Sequence, residues 1–313
     1  MFNIDENSRY KMSNAFVDSM IKLAKAHKNI VLLHADFGSK FGIEKFSSAF
    51  GDRCFNFGLS ERNLIGSAIG FALRGKIPFV FGYGNFLGKA FDIIRNGICY
   101  PNLNIKLISL SSGFDAGKEG AGYHVFEDIA LMNCLPNMNI YCPSDYNSAS
   151  VVLKEAASNF GPHYIRLSNR EMPLIFSENH LFDYKNEILR DGKDICIFSY
   201  GNYVYKALKV ADILENEGKS VMIVNLNKIK PIQKDLIINS AKSVKLSVSL
   251  EEHSLIGGVS DIIANILMEA KINNFKKIGI EDVFTQSGEI DDLENFYGLS
   301  VEKICEKIRE FLR

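Results

Sequence analysis

Cys54-Phe55-Asn56-Phe57-Gly58-Leu59-Ser60-Glu61-Arg62-Asn63-Leu64-Ile65-Gly66 is the stretch whose reading decides the fold. Its first four residues read as a buried strand. Leu64 to Leu73 carries small and apolar residues at helical spacing. Between them Glu61 falls in the first helical turn, near the carboxyl end of a strand, where open α/β sheets place ligands. The helix N-terminus favours an ionised carboxylate there, and apolar burial favours a protonated one, so such a group is able to hold or share a proton. The same residues also read as a helix-start Glu held by the macrodipole behind a Ser60 N-cap.

Working outward, strand-like and helix-like runs alternate. Upstream, Arg9–Ala26 reads as a helix, Ile30–His34 as a strand and Phe46–Phe50 as a short helix. Downstream come strands at Pro78–Phe81, Ile105–Ser109, Asn139–Cys142 and His163–Leu167, with helices at Phe86–Gly97, Glu127–Cys134 and Asn147–Asn159. Leu174–Gly192 loses the rhythm, and a second series runs from Ile195 to Leu312. The expectation is an α/β protein of two domains, each a mainly parallel sheet with helices on both faces. The expected divisions are residues 1–175, a linker at 176–191, and 192–313.

Composition narrows the function classes. The chain has 313 residues, 47% hydrophobic and 23% charged, with formal net charge −1. That balance lacks the basic field of a nucleic-acid binder. No apolar run approaches the roughly 20 residues of a membrane helix. Six cysteines without a CxxC pair read as buried thiols in a reducing compartment, not a metal site. A polar, acidic N-terminus is unlike a secretory signal, so a cytoplasmic location is expected.

Three further groups sit at strand ends. Phe81-Gly82-Tyr83-Gly84-Asn85-Phe86-Leu87-Gly88 offers an aromatic face with close backbone approach. Ser111 to His124 is a loop with four glycines and a terminal His. Tyr164-Ile165-Arg166-Leu167-Ser168-Asn169-Arg170 carries two arginines. These suit either the clamping of an anion or inter-domain salt bridges.

In order along the chain, these segments resemble the transketolase group of thiamine-diphosphate enzymes. Gly58-Leu59-Ser60-Glu61 is similar to their G-[IV]-x-E, and Asn85-Phe86-Leu87 to their T-F-L. His124 with Glu127-Asp128-Ile129 resembles T-H-x-x-x-E-D-[IL], one residue shorter between the His and the Glu, and Leu135-Pro136-Asn137 resembles [IL]-P-N. Pro143-Ser144-Asp145 resembles P-[AS]-D, and Glu251-Glu252-His253 with Gly257-Gly258 resembles the E-E-H-x-x-x-G-G of the C-terminal domain. The resemblance implies a pyrimidine-binding domain followed by a C-terminal domain. The family's pyrophosphate-binding domain carries Gly-Asp-Gly, a motif absent here.

The resemblance therefore implies one subunit of a split transketolase. It would move a two-carbon ketol unit from a ketose, or ketose phosphate, to an aldose. Thiamine diphosphate would be the cofactor, and a separate N-terminal subunit would hold the diphosphate and Mg²⁺. Self-association to a dimer within an α2β2 assembly is implied as well. Glu61 would bond N1′ of the aminopyrimidine and favour the tautomer whose N4′ takes the C2 proton. Phe86 would stack on the pyrimidine, with Lys89 and Phe91 beside it. Ser112 and His124 would meet the substrate, His124 as a catalytic contact, and Arg166 or Arg170 would hold a substrate phosphate.

There are departures. Arg62-Asn63 follows the Glu, Gly120 stands where transketolases carry an Asp, and Ser112 where they carry a His. Lys89 and Asp92, with Phe91 matching a Tyr, resemble the deoxyxylulose-phosphate synthases. The β-subunit of a 2-oxo-acid dehydrogenase E1, with a similar layout, is the other alternative.

Overall fold

Five-residue runs such as Ile30-Val31-Leu32-Leu33-His34 and Ile195-Cys196-Ile197-Phe198-Ser199 are buried at every position, as strands covered on both faces must be. The structure is a computed structural model, and it describes residues 4–36, 38–178, 180 and 186–313.

The strands of the first half are β1 (Asp5–Lys11), β2 (Ile30–His34), β3 (Cys54–Asn56), β4 (Ile77–Gly82), β5 (Lys106–Leu110), β6 (Asn139–Tyr141), β7 (His163–Leu167) and β8 (Glu171–Leu174). Those of the second are β9 (Glu187–Arg190), β10 (Ile195–Ser199), β11 (Val221–Asn225), β12 (Lys228–Lys230), β13 (Leu246–Ser254) and β14 (Phe275–Ile280). A seven-stranded sheet has the order β12-β6-β7-β5-β4-β2-β3, parallel except for β12. A five-stranded sheet has the order β14-β13-β10-β11-β9, parallel except for β9. The expected α/β architecture of two mainly parallel sheets is what the chain adopts.

Alternation along β2 divides the core. Val31, Leu33 and Ala35 join Leu64, Ile65 and Ala68 on one face, while Ile30 and Leu32 join Phe16 and Met20 on the other. The first of these clusters continues through Cys196, Phe198 and Val224, so the two halves share apolar packing. Among the described residues no helix is long and apolar enough to cross a membrane.

Four local expectations are corrected. Arg9–Lys11 is strand, not helix, because it pairs with Glu171–Pro173. Glu187–Arg190, inside the expected linker, is a strand on the edge of the second sheet, while 179 and 181–185 of that linker lie outside the described residues. Lys228–Lys230, unassigned from sequence, crosses from the second half to pair with β6. The single helix expected at Phe86–Gly97 is broken into Gly84–Gly88, Phe91–Ile93 and a π-helical turn at Ile94–Cys99, with Lys89 and Ala90 at the break.

β2 lies between β3 and β4, so the loops after β2 and β4 lead to opposite sides. This is the topological switch point at which such sheets open a crevice. The loops after β2, β3, β4 and β5 all emerge at that edge.

Candidate active site

Glu61 opens the helix Glu61–Leu73 and is 8% exposed. Its burial follows from spacing: Glu61, Leu64, Ile65 and Ala68 share the face packed inward. The turn before it is held by Asn56, whose Oδ1 accepts from Gly58 N at 3.0 Å and from Asp36 N at 2.9 Å. Gly58 takes a φ of 64°, a conformation natural to glycine. Ser60 is the N-cap, but its hydroxyl caps no backbone N–H. The carboxylate thus enters the helix without the expected side-chain cap.

Phe86 belongs to an aromatic group. Its ring centre lies 5.4 Å from Tyr83 and 5.1 Å from Tyr123, and those two are 5.7 Å apart. Tyr83 is buried and its hydroxyl accepts from Lys40, which also pairs with Glu119 at 3.1 Å. Asn85 donates to the Gly122 carbonyl. Loops after β2, β4 and β5 are thereby tied together around the ring. Lys89 Nζ lies 3.6 Å from Glu61 Oε2 and 4.1 Å from the centre of Phe86. Phe91, in the next short helix, is half-buried and packs on the core.

His124 and Ser112 lie deeper. His124 is 2% exposed, with Nε2 3.0 Å from Gly117 O and Nδ1 2.7 Å from Thr285 Oγ1. Since a carbonyl only accepts, Nε2 carries the proton and Nδ1 accepts from the Thr285 hydroxyl. Burial lowers the His124 pKa, which suits this neutral form; Arg170 lowers it too, while the Gly117 carbonyl opposes. Both ring nitrogens are therefore engaged within the chain, at a junction between its halves. Ser112 is buried, and its N–H donates to Asp115 Oδ2 at 3.0 Å.

The phosphate role expected of the arginines does not fit their surroundings. Arg166 Nε lies 3.0 Å from Asp128 Oδ2, and its Nη2 donates to the carbonyls of Val125 and Glu252. Burial, the largest influence, pulls its pKa down, but Asp128, Tyr200, Cys142 and Glu252 together push it up, and the net direction is up. Arg170 contacts three carboxylates: Asp115 at 2.8 Å, Glu294 at 2.6 Å, and Glu252. Burial raises the Glu252 pKa against the pull of Arg170. Gly113 lets this carboxylate approach, because a Cβ there would lie 2.0 Å from Glu252 Cδ. Arg170 thus makes inter-domain salt bridges, to Glu252 and Glu294, whereas the ion pair of Arg166 stays within the first half and reaches the second through the Glu252 carbonyl.

Lys40 and Thr285 were not singled out from sequence, and Tyr123 and Glu119 only as members of the loop from Ser111 to His124. Tyr83 was singled out only as part of an aromatic segment. Thr285 is 161 residues from His124, a separation no local pattern reveals. Lys40 lies in a loop whose link to Tyr83 depends on the β2-β4 pairing.

Comparison with known proteins defines the class. Residues 8–173 match the family described as transketolase, pyrimidine binding domain, and residues 184–304 match transketolase, C-terminal domain. The chain is 37% identical over 307 residues to the "Putative transketolase C-terminal section" of Methanocaldococcus jannaschii, covering 96% of each. It is 31% identical to one of the subunits of the apulose-4-phosphate transketolase of Actinobacillus succinogenes, covering 94% of this chain and 96% of the relative. A solved structure titled split gene transketolase, inactive beta4 tetramer, superposes with a TM-score of 0.87 at 35% identity, over 96% of this chain and 98% of that one. The chain belongs to the transketolase family.

Proposed function

We propose that this chain supplies the pyrimidine half of a thiamine-diphosphate site and transfers a two-carbon ketol unit from a ketose or its phosphate to an aldose, together with a separate N-terminal subunit. The observation carrying this reading is the placement of Glu61. It is a buried carboxylate at the first turn of a helix, at the switch-point edge, with the Lys89 ammonium reaching both it and the Phe86 ring. The length match to a C-terminal section and to a split-gene chain supports the two-subunit arrangement.

The residues fit the group the family implies. Glu61 would hold the aminopyrimidine through a carboxylate oxygen, and Phe86 would receive its ring, with Lys89 and Phe91 at the border. When bound, thiamine diphosphate supplies the electron sink that ketol transfer needs. Glu61 shares a proton at N1′, the kind of placement for which a buried carboxylate is suited. Tyr83 and Tyr123 hold the plane of Phe86. Ser112 and His124 would face the substrate end, with His124 reaching substrate in exchange for its Thr285 contact. Diphosphate and Mg²⁺ fall to the partner, and a dimer of this chain within an α2β2 assembly completes the reading.

The test is co-expression with the N-terminal subunit, followed by a screen of ketose donors and aldose acceptors. Transfer by the pair and none by this chain alone is the expected result. Full transfer by the purified chain alone refutes the two-subunit reading. Lys89 and Asp92 favour one second reading, a deoxyxylulose-phosphate-synthase type. Condensation of pyruvate with glyceraldehyde 3-phosphate by the same complex, without ketol transfer, would select it.

A further inference from the structure

Lys89 occupies the space between the two groups this half-site has to offer. Its ammonium makes the ion pair to Glu61, the only one recorded for that carboxylate among the described residues, and lies over the Phe86 ring. Tyr83 and Tyr123 meet Phe86 at interplanar angles of 58° and 64°, and the ammonium lies over one face of that ring. A planar ring that stacks on that face while bonding Glu61 has to enter where the ammonium sits. We propose that Lys89 is a displaceable plug of the pyrimidine subsite. In the free subunit its ammonium stands in for the ring, and seating the cofactor moves it toward solvent.

Two physical points support the proposal, which rests on the thiamine reading above. An unpartnered buried carboxylate is costly, and Lys89 relieves that cost while the subsite lacks a ligand. Displacement is also easy. The Lys89 side chain is 55% exposed on a flexible stem, just after the short helix Gly84–Gly88. A 3.6 Å ion pair to a half-exposed lysine and a cation–π contact from the same lysine are each weak. Their combined loss corresponds to about a three- to thirtyfold penalty on whatever replaces them.

The experiment is calorimetric titration of thiamine diphosphate, with Mg²⁺ present, into the complex of this chain with its N-terminal subunit. Wild type is compared with Lys89→Met and Lys89→Gln. Both variants are expected to bind about three- to thirtyfold more tightly at low salt, with the gap narrowing as salt screens the pair. Weaker binding by the variants would make Lys89 a cofactor contact and overturn the plug, and equal constants overturn it as well. If neither wild-type nor variant complexes bind thiamine diphosphate, the thiamine reading fails and the plug falls with it.

Discussion

Arg166 Nε lies 3.0 Å from Asp128 Oδ2, and the two side chains are only 2% and 1% exposed. Tyr164 also donates to this carboxylate, at 2.7 Å. The guanidinium reaches Val125 in the first half and Glu252 in the second, so one buried ion pair fastens the halves together. Removing one partner of such a pair leaves an uncompensated buried charge, at a cost of about 3–5 kcal/mol. Arg166→Met is expected to lose about that much stability in urea denaturation. The assembled enzyme should show no selective rise in KM for phosphorylated over unphosphorylated sugars. A stable variant with such a selective rise would restore the phosphate role.

Much of this was legible in the sequence, and the illegible parts have physical reasons. Helix Glu61–Leu73 and strands Ile30–His34, His163–Leu167 and Ile195–Ser199 have the ends their sequence implies, because each is a strongly periodic or uniformly apolar run. Lys228–Lys230 is short and charged, and becomes a strand only because β6 offers an open edge. Arg9–Lys11 continues the helical pattern of its neighbours, yet pairing with Glu171–Pro173 prevails. At the site, Glu61 was visible from its local context. The fate of the arginines was not, since Asp128, Glu252 and Glu294 converge on them from distant parts of the chain.

Lys106 is wholly buried, and its Nζ contacts Asn159 O at 2.7 Å, Gly161 O at 2.9 Å and His163 Nδ1 at 2.9 Å. No carboxylate pairs with it among the described residues, and burial lowers its pKa to about 7. A neutral amine donates to the two carbonyls and turns its lone pair toward His163 Nδ1, which also lies 2.9 Å from Gly161 O. Between pH 7 and about 10 the unfolded chain holds a proton there that the folded chain lacks, so stability from this group rises with pH. The slope approaches at most about 1.4 kcal/mol per pH unit. Urea denaturation of wild type and Lys106→Met across pH 7–9.5 should show a difference that changes with pH. A constant difference would mean that Lys106 stays charged.

Among the described residues the Thr285 hydroxyl is the only partner of His124 Nδ1, and Thr285 is itself buried. Thr285→Val keeps the shape and leaves a buried acceptor unmet, which costs about 1–3 kcal/mol. Because burial lowers the His124 pKa, the unfolded chain binds the extra proton first on acidification. The stability contributed by this group is whole above about pH 6.5 and declines below it. Comparing wild type with His124→Gln at pH 7.5 and 5.5 tests this. The advantage of wild type should shrink at the lower pH, and an unchanged advantage would contradict a neutral, buried imidazole.

Glu61→Gln keeps the size of the side chain and removes its ability to hold a proton. In the assembled complex, exchange of the C2 proton of bound thiamine diphosphate for deuterium should slow by about 10²–10⁴-fold, the usual weight of a positioned acid–base group. Stability should change little, because the one ion pair lost is to Lys89, a half-exposed partner worth about 1 kcal/mol at most. Exchange is followed by acid quench and proton NMR, and urea denaturation supplies the control. Slow exchange in a stably folded variant assigns the effect to the carboxylate and not to a collapsed site. Exchange at the wild-type rate would remove Glu61 from the chemistry and leave it as the helix-start carboxylate its local sequence also allows.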